Sequence, residues 1–264
     1  MSRGPSLVDF LAAKIKRKKK HFKTDAYIIS YPKCGSTWLR VLLGKYLCMR
    51  HELPESMLLD TYRTTKAAGL LRTQMVHDLE SYPVGIDYRR LNQNKQEYRR
   101  KKIIFLARDV RDVMVSCYFQ ATRRRDFFHG TMSDYIRSDR FGIRKLITYN
   151  TIWQKNRSVP REFLPVRYED LHADPHNVLV AVLTGLGATQ INRDFVAAAI
   201  EYSRFDNMRS MEEKEIFQGG KLRPTNMYDK ESFKVRKGVI GGYMDYLSPD
   251  AVIKEMGNPI HDVD

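Results

Sequence analysis

AYIISYPKCGSTWLRVLL, residues 26–43, is the stretch that decides the fold. It begins with an apolar run of strand length, read as a buried strand over 26–31. Trp38, Val41, Leu42 and Leu47 then recur at helical spacing, which predicts a helix over 36–49. A strand that turns sharply into a helix leaves backbone N–H groups unpaired at the helix N-terminus. Their partial positive charge draws an anion. Gly35 lets the backbone approach that anion, Ser36 and Thr37 offer hydroxyls, and Lys33 adds a mobile full charge. Trp38 serves equally as a wall for a flat ring or as a core residue. In a G-x-x-x-x-G-K-[ST] nucleoside-triphosphate loop the lysine follows the glycine, whereas Lys33 precedes Gly35. Gly44-Lys45 is followed by Tyr46 and Gly220-Lys221 by Leu222, so that loop is absent from the sequence.

Further elements alternate in the same way. KIIFLA at 102–107 is a second strand, followed by a helix over 109–119 that starts on an acidic residue. Phe163 to Tyr168 is a third strand candidate. Asp174-Pro175 reads as an N-cap with proline at the first helical position, in a helix running to Thr184. Asn192 caps another through Tyr202. Strands alternating with helices indicate an α/β domain with a central parallel sheet, whose ligands sit beyond the carboxyl ends of the strands. From Met211 to Gly242 the periodicity fades, as in a functional lid.

The 264 residues suffice for one full core. Hydrophobic residues make up 42% and charged residues 29%, a globular composition, and no run approaches the ~20 apolar residues of a membrane span. The basic N-terminus is not followed by an apolar stretch of roughly 7–15 residues, so no secretory signal is expected. Three scattered cysteines, Cys34, Cys48 and Cys117, fit a reducing, cytoplasmic setting, and no Cys/His spacing suggests a metal site. The net charge of +15, from 46 basic and 31 acidic residues, favours anionic partners. Much of it lies in KIKRKKKHFK, residues 14–23, which reads as a solvated arm or as a peripheral contact with an anionic membrane or polymer. Residues 1–25 are assigned to that arm and 26–264 to the domain. No nucleic-acid motif is present.

Two more segments carry anion-binding chemistry. FLARDVRDVMVSCYF, residues 105–119, puts Arg108 at a strand end and Ser116 eight residues on. Read alone, Arg108 is an arginine paired with Asp109 or Asp112. KVRKGVIGGY, residues 234–243, places Arg236 and Lys237 beside Gly238, as in a phosphate clamp or a basic surface turn.

Together with VRYEDLHADPHNVL at 166–179, these segments resemble the cytosolic type of sulfotransferase that uses 3′-phosphoadenosine 5′-phosphosulfate. The family pattern YPK-[ST]-G-[ST]-[ST]-W is matched by YPKCGSTW, and the strand-end arginine and serine by Arg108 and Ser116. RKG-x-x-G is matched by Arg236 to Gly241, and YEDL-x-x-DP by Tyr168 to Pro175. The resemblance runs in order from about Ala26 to Tyr243 and implies a single α/β domain similar to the nucleotide kinases. It implies that Lys33, Cys34, Gly35, Ser36, Thr37 and Trp38 hold the donor's 5′-phosphosulfate end. Arg108, Ser116, Arg236, Lys237 and Gly238 would hold the 3′-phosphate. Ser203, Phe205, Met208 and Tyr168 would contact adenine. The product is the bisphosphate, PAP, and no metal is required.

The resemblance also implies a base between the first and second anchors, often in K-T-H. Only His51 and His77 fall there. RTQMVHDLE, residues 72–80, puts His77 after a strand-like step, and His77 is assigned as general base, with Lys33 as the catalytic cation. The acceptor expected is a small molecule or glycolipid presenting a hydroxyl or an amine. The sequence departs from the family at Met75, where a lysine is common, at Cys34, where a hydroxyl is usual, and at Gly242-Tyr243, which replace the acidic-aromatic pair after the RKG loop. A thiol at a helix N-terminus is expected to be acidic and oxidisable. The family's C-terminal dimer signature is not found, and no oligomeric state is carried over.

Overall fold

A strand covered on both faces needs an unbroken apolar run, and Ala26–Ser30 (β1) is buried at all five positions. The computed structural model describes residues 21–78, 85–217, 222–250 and 252. The basic arm up to Lys20 and Gly219 to Lys221 lie outside the described residues. Thr73–Val76 (β2), Lys102–Ala107 (β3) and Glu162–Arg167 (β4) complete a parallel sheet of order β2-β1-β3-β4. The register pairs Ile28 with Met75 on one side of β1 and with Ile104 on the other.

The helices follow the local signals. Ser36–Arg50 (α1) begins one residue after Gly35. Thr61–Ala67 (α2) follows, and Val110–Phe119 (α3) starts where Asp109 accepts a hydrogen bond from the Arg111 N–H. Met132–Arg137 (α4) and Ile143–Lys155 (α5) lie between β3 and β4. After Tyr168–Ala173 (α6), Pro175–Gly185 (α7) is capped by Asp174 on the Asn177 N–H at 3.0 Å. Arg193–Tyr202 (α8) is capped by Asn192 on the Phe195 N–H at 3.1 Å. Phe205–Glu213 (α9) extends into the stretch expected to lack periodicity from Met211. The segments carrying α2, α4 and α5 had no helix expectation. Their polar residues blur the apolar period, and packing decides them: α5 drives Trp153 fully into the core against Phe105 and Phe163.

Candidate functional site

A parallel sheet delivers all its carboxyl ends to one side. Lys33 lies three residues past β1, while His77, Arg108 and Tyr168 directly follow β2, β3 and β4. All four line one cavity of about 700 Å³. Of the residues assigned to the donor site or to catalysis, only Cys34 is missing from its lining.

The turn into α1 has two left-handed residues, Lys33 at φ 72° and Gly35 at φ 91°. A left-handed lysine is strained, a feature that concentrates at functional sites. A side chain at position 35 would also meet the Tyr168 ring, since a Cβ there comes within 2.4 Å of Cδ2. No side chain caps α1 and no acidic residue stands in its first turn. Its first N–H groups therefore keep their pull on an anion. Burial lowers the Lys33 amine to about 8, with Arg124 and Arg236 adding repulsion. A bound anion would offset both effects.

Cys34 corrects one expectation. It is 1% exposed and turned into the core, and burial pushes its thiol up rather than down. Cys117, also buried, is pushed up to about 12, again by burial, and its Sγ contacts the Pro32 carbonyl at 3.6 Å.

Arg108 and Ser116, two helical turns apart in sequence, both face the cavity. Arg108 donates to the carbonyls of Lys33 at 3.3 Å and Val239 at 2.9 Å, and pairs with Asp112 at 3.3 Å. Its guanidinium lies 4.1 Å from the Tyr168 ring centroid. Asp109 instead pairs with Arg111. Arg108 thus ties the first loop to the third.

The third loop is fastened by carboxylates. Asp112 accepts from the N–H groups of Gly241 at 2.9 Å and Tyr243 at 3.0 Å. Fully buried Glu212 accepts from the N–H groups of Lys234 at 2.7 Å and Val235 at 2.8 Å, and pairs with Arg124. Arg236 pairs with Glu231 at 3.0 Å and donates to the Tyr246 hydroxyl at 2.8 Å. Lys237 pairs with Asp245. Gly238 holds φ 65°, and a Cβ there would come within 2.3 Å of the Phe205 ring.

Flat side chains line the remaining wall. Trp38 meets Tyr168 and His172 edge-on, with ring centroids 5.8 and 4.7 Å away. Ser203, Phe205 and Met208 close that side from α9 and the turn before it.

His77 is held from three directions. Its Nδ1 lies 3.0 Å from the Ser30 carbonyl oxygen, which can only accept. Nδ1 therefore carries the hydrogen and Nε2 the lone pair. The Tyr149 hydroxyl donates to the His77 carbonyl at 2.8 Å. The next residue, Asp78, takes φ 47° and is gripped by Lys95 and Tyr98, each at 2.7 Å. Burial, helped by repulsion from Arg40, Lys234 and Lys33, lowers the His77 imidazole to about 4. The ring is neutral at pH 7.

Sequence reasoning missed Arg40, Asp112, His172 and Lys234, all in the cavity lining. Arg40 sits one helical turn after Ser36, and Lys234 lies two residues before Arg236, so spacing could have found both. Met75, two residues before His77, packs against the core and does not line the cavity. Among the described residues no cluster could hold a metal ion, and no helix is long and apolar enough to cross a membrane.

Comparison with known proteins adds the family. The sulfotransferase domain matches residues 23–256. Cytosolic sulfotransferase 10 of Arabidopsis thaliana is 24% identical over 88% of this chain and 76% of its own length. Sulfotransferase 1B1 of Mus musculus is 24% identical over 85% of this chain and 77% of its own. The fold resembles retinol dehydratase in complex with retinol and PAP, with a TM-score of 0.59, 17% identity and coverage of 92% and 82% of the two chains. It also resembles mouse sulfotransferase SULT7A1 complexed with PAP, with a TM-score of 0.57, 19% identity and coverage of 89% and 86%. The chain belongs to the sulfotransferase domain family.

Proposed function

We propose that this member of the sulfotransferase family moves a sulfuryl group from 3′-phosphoadenosine 5′-phosphosulfate to a small-molecule or glycolipid acceptor. The preferred nucleophile is a hydroxyl, and an amine is the alternative. The observation that carries the reading is the convergence of Lys33, His77, Arg108 and Tyr168, from four strand ends, on the cavity that also receives Arg236 and Lys237. The names of the structural relatives support the donor: two of them hold PAP.

The residues fit that donor. The uncapped N-terminus of α1, opened by Gly35, suits the 5′-phosphosulfate, with Lys33 beside it. Arg108, Ser116 and the Arg236–Gly238 loop suit the 3′-phosphate, and the wall of Trp38, Tyr168, Phe205 and Met208 suits adenine. In the reaction the acceptor oxygen attacks sulfur in line and the bond from sulfur to the 5′-phosphate oxygen breaks. The acceptor proton passes to His77 Nε2, whose lone pair is free because Nδ1–H is spent on Ser30. Charge developing on the leaving phosphate oxygen is stabilised by Lys33 and the α1 N-terminus. The domain is assigned to 26–264, preceded by a basic arm over 1–25 that is either solvated or in peripheral contact with an anionic membrane.

Thermal unfolding with adenosine 3′,5′-bisphosphate, 5′-AMP and ATP tests the donor site. At 100 times its Kd a ligand stabilises by about 2.7 kcal/mol. The bisphosphate is expected to raise Tm most; a larger rise with ATP, or none with any nucleotide, overturns the reading. His77→Ala is expected to keep bisphosphate affinity and lose turnover by about 10²–10⁴-fold.

A further inference from the structure

We infer that Arg40 is a further catalytic residue, the cation that holds the transferring sulfuryl group. The inference rests on the donor reading above. Arg40 follows Ser36 by four residues and Thr37 by three on α1, so the three share one helical face. Side chains on a helix lean toward its N-terminus. The Arg40 guanidinium is thereby directed to the helix end that suits the phosphosulfate, and it lines the same cavity as His77.

Several of the other cations of this cavity are held by carboxylates. Arg108 pairs with Asp112, Arg236 with Glu231, and Lys237 with Asp245. Arg40 has no hydrogen bond and no ion pair among the described residues. Asp60 acts on it only at a distance, and burial works against its charge. A half-buried guanidinium without a carboxylate, opening on a cavity built for an anion, is incomplete without one.

Its place between two groups identifies which part of the donor it meets. In-line transfer sets the sulfuryl group between the leaving phosphate oxygen, at the α1 N-terminus, and the attacking oxygen, at His77 Nε2. Arg40 rises from the first element, one turn after Ser36, and lines the cavity that the second also lines. It therefore stands beside the group in transit. As sulfur passes from the phosphate oxygen to the acceptor oxygen, its three other oxygens stay negative throughout. A guanidinium can grip two of them at once.

The bisphosphate product lacks the sulfuryl group, and this separates the possible roles without a known acceptor. Calorimetric titration would measure Kd for the sulfated donor and for adenosine 3′,5′-bisphosphate in wild type, Arg40→Gln, Arg40→Met and Arg40→Lys. The expected result is a loss of about tenfold in sulfated-donor affinity in the Gln and Met variants, less than twofold for the bisphosphate, and partial recovery with Lys. Equal loss for both ligands in both variants overturns the assignment in favour of a contact with the 5′-phosphate or a structural role. Unchanged affinity for both overturns it too and leaves recognition of an anionic acceptor. If wild type binds neither nucleotide, the donor reading itself has failed.

Discussion

In the proposed reading, the two ends of the cavity would hold phosphate by different means. At one end a buried strand, a left-handed turn and an uncapped helix make the grip from backbone. At the other, an irregular loop carries Arg236 and Lys237 and is fastened by Asp112, Glu212, Glu231 and Asp245. The first grip depends on conformation, because its N–H groups cannot be exchanged for others. The second depends on side-chain carboxylates, of which Asp112 and Glu212 lie more than twenty residues from the backbone they hold.

The sharpest test of that contrast is Glu212→Ala. Glu212 is fully buried, and its loss leaves Arg124 without its carboxylate and two backbone N–H groups without an acceptor. Denaturant unfolding is expected to show a loss of about 3–5 kcal/mol. A loss below about 1 kcal/mol would mean the second grip holds without its carboxylate.

Paired glycine substitutions come next. Gly35→Ala and Gly238→Ala both place a side chain at positive φ against an aromatic ring. Each carries backbone strain of about 1–3 kcal/mol. The neighbours differ: Tyr168 is 4% exposed, whereas Phe205 is 36% exposed and can swing aside. Gly35→Ala is expected to weaken bisphosphate binding at least tenfold more than Gly238→Ala. Equal effects would dissolve the distinction.

Tyr246→Phe is a smaller probe of the second grip. Its hydroxyl accepts from Arg236 and donates to Glu231 at 2.7 Å. Losing it is expected to cost about 1 kcal/mol of bisphosphate affinity, read by titration.

The smallest effect is in pH, and it sharpens the first grip. The Lys33 amine sits at about 8 in the folded protein against an ordinary 10.5. Between those values the unfolded chain binds more protons, so this group makes the ligand-free protein more stable as pH rises from about 8 to 10.5. Bisphosphate binding favours the protonated amine, so affinity should fall as pH rises above about 8. Titration at pH 8 in buffers of different ionisation enthalpy should show proton uptake on binding. No uptake would remove Lys33 from the anion's surroundings.

Much of this was legible in the sequence. β1, α1 and β3 were readable to within a residue because their signals are local: an apolar run, helical spacing, a glycine at the turn. Asp174 and Asn192 announced their helices because a cap acts over three residues. The chain's resemblance to a family pointed to His77, which the structure puts in the cavity lining and which one histidine could not have announced. The acidity expected of Cys34 failed, because which way a side chain turns at a helix start depends on the core behind it.

By itself, the sequence determined the alternation of strand and helix, the turn at Gly35 and the types of charge available to an anion. Tertiary structure alone decided which cations are already paired, that Asp112 and Glu212 anchor a loop more than twenty residues away, and that Arg40, unpaired among the described residues, opens on the cavity that His77 also lines. The reason is range. Hydrogen bonds along a helix and the pleat of a strand are set by near neighbours, whereas a cavity is the meeting of strand ends that only the assembled sheet brings to one side.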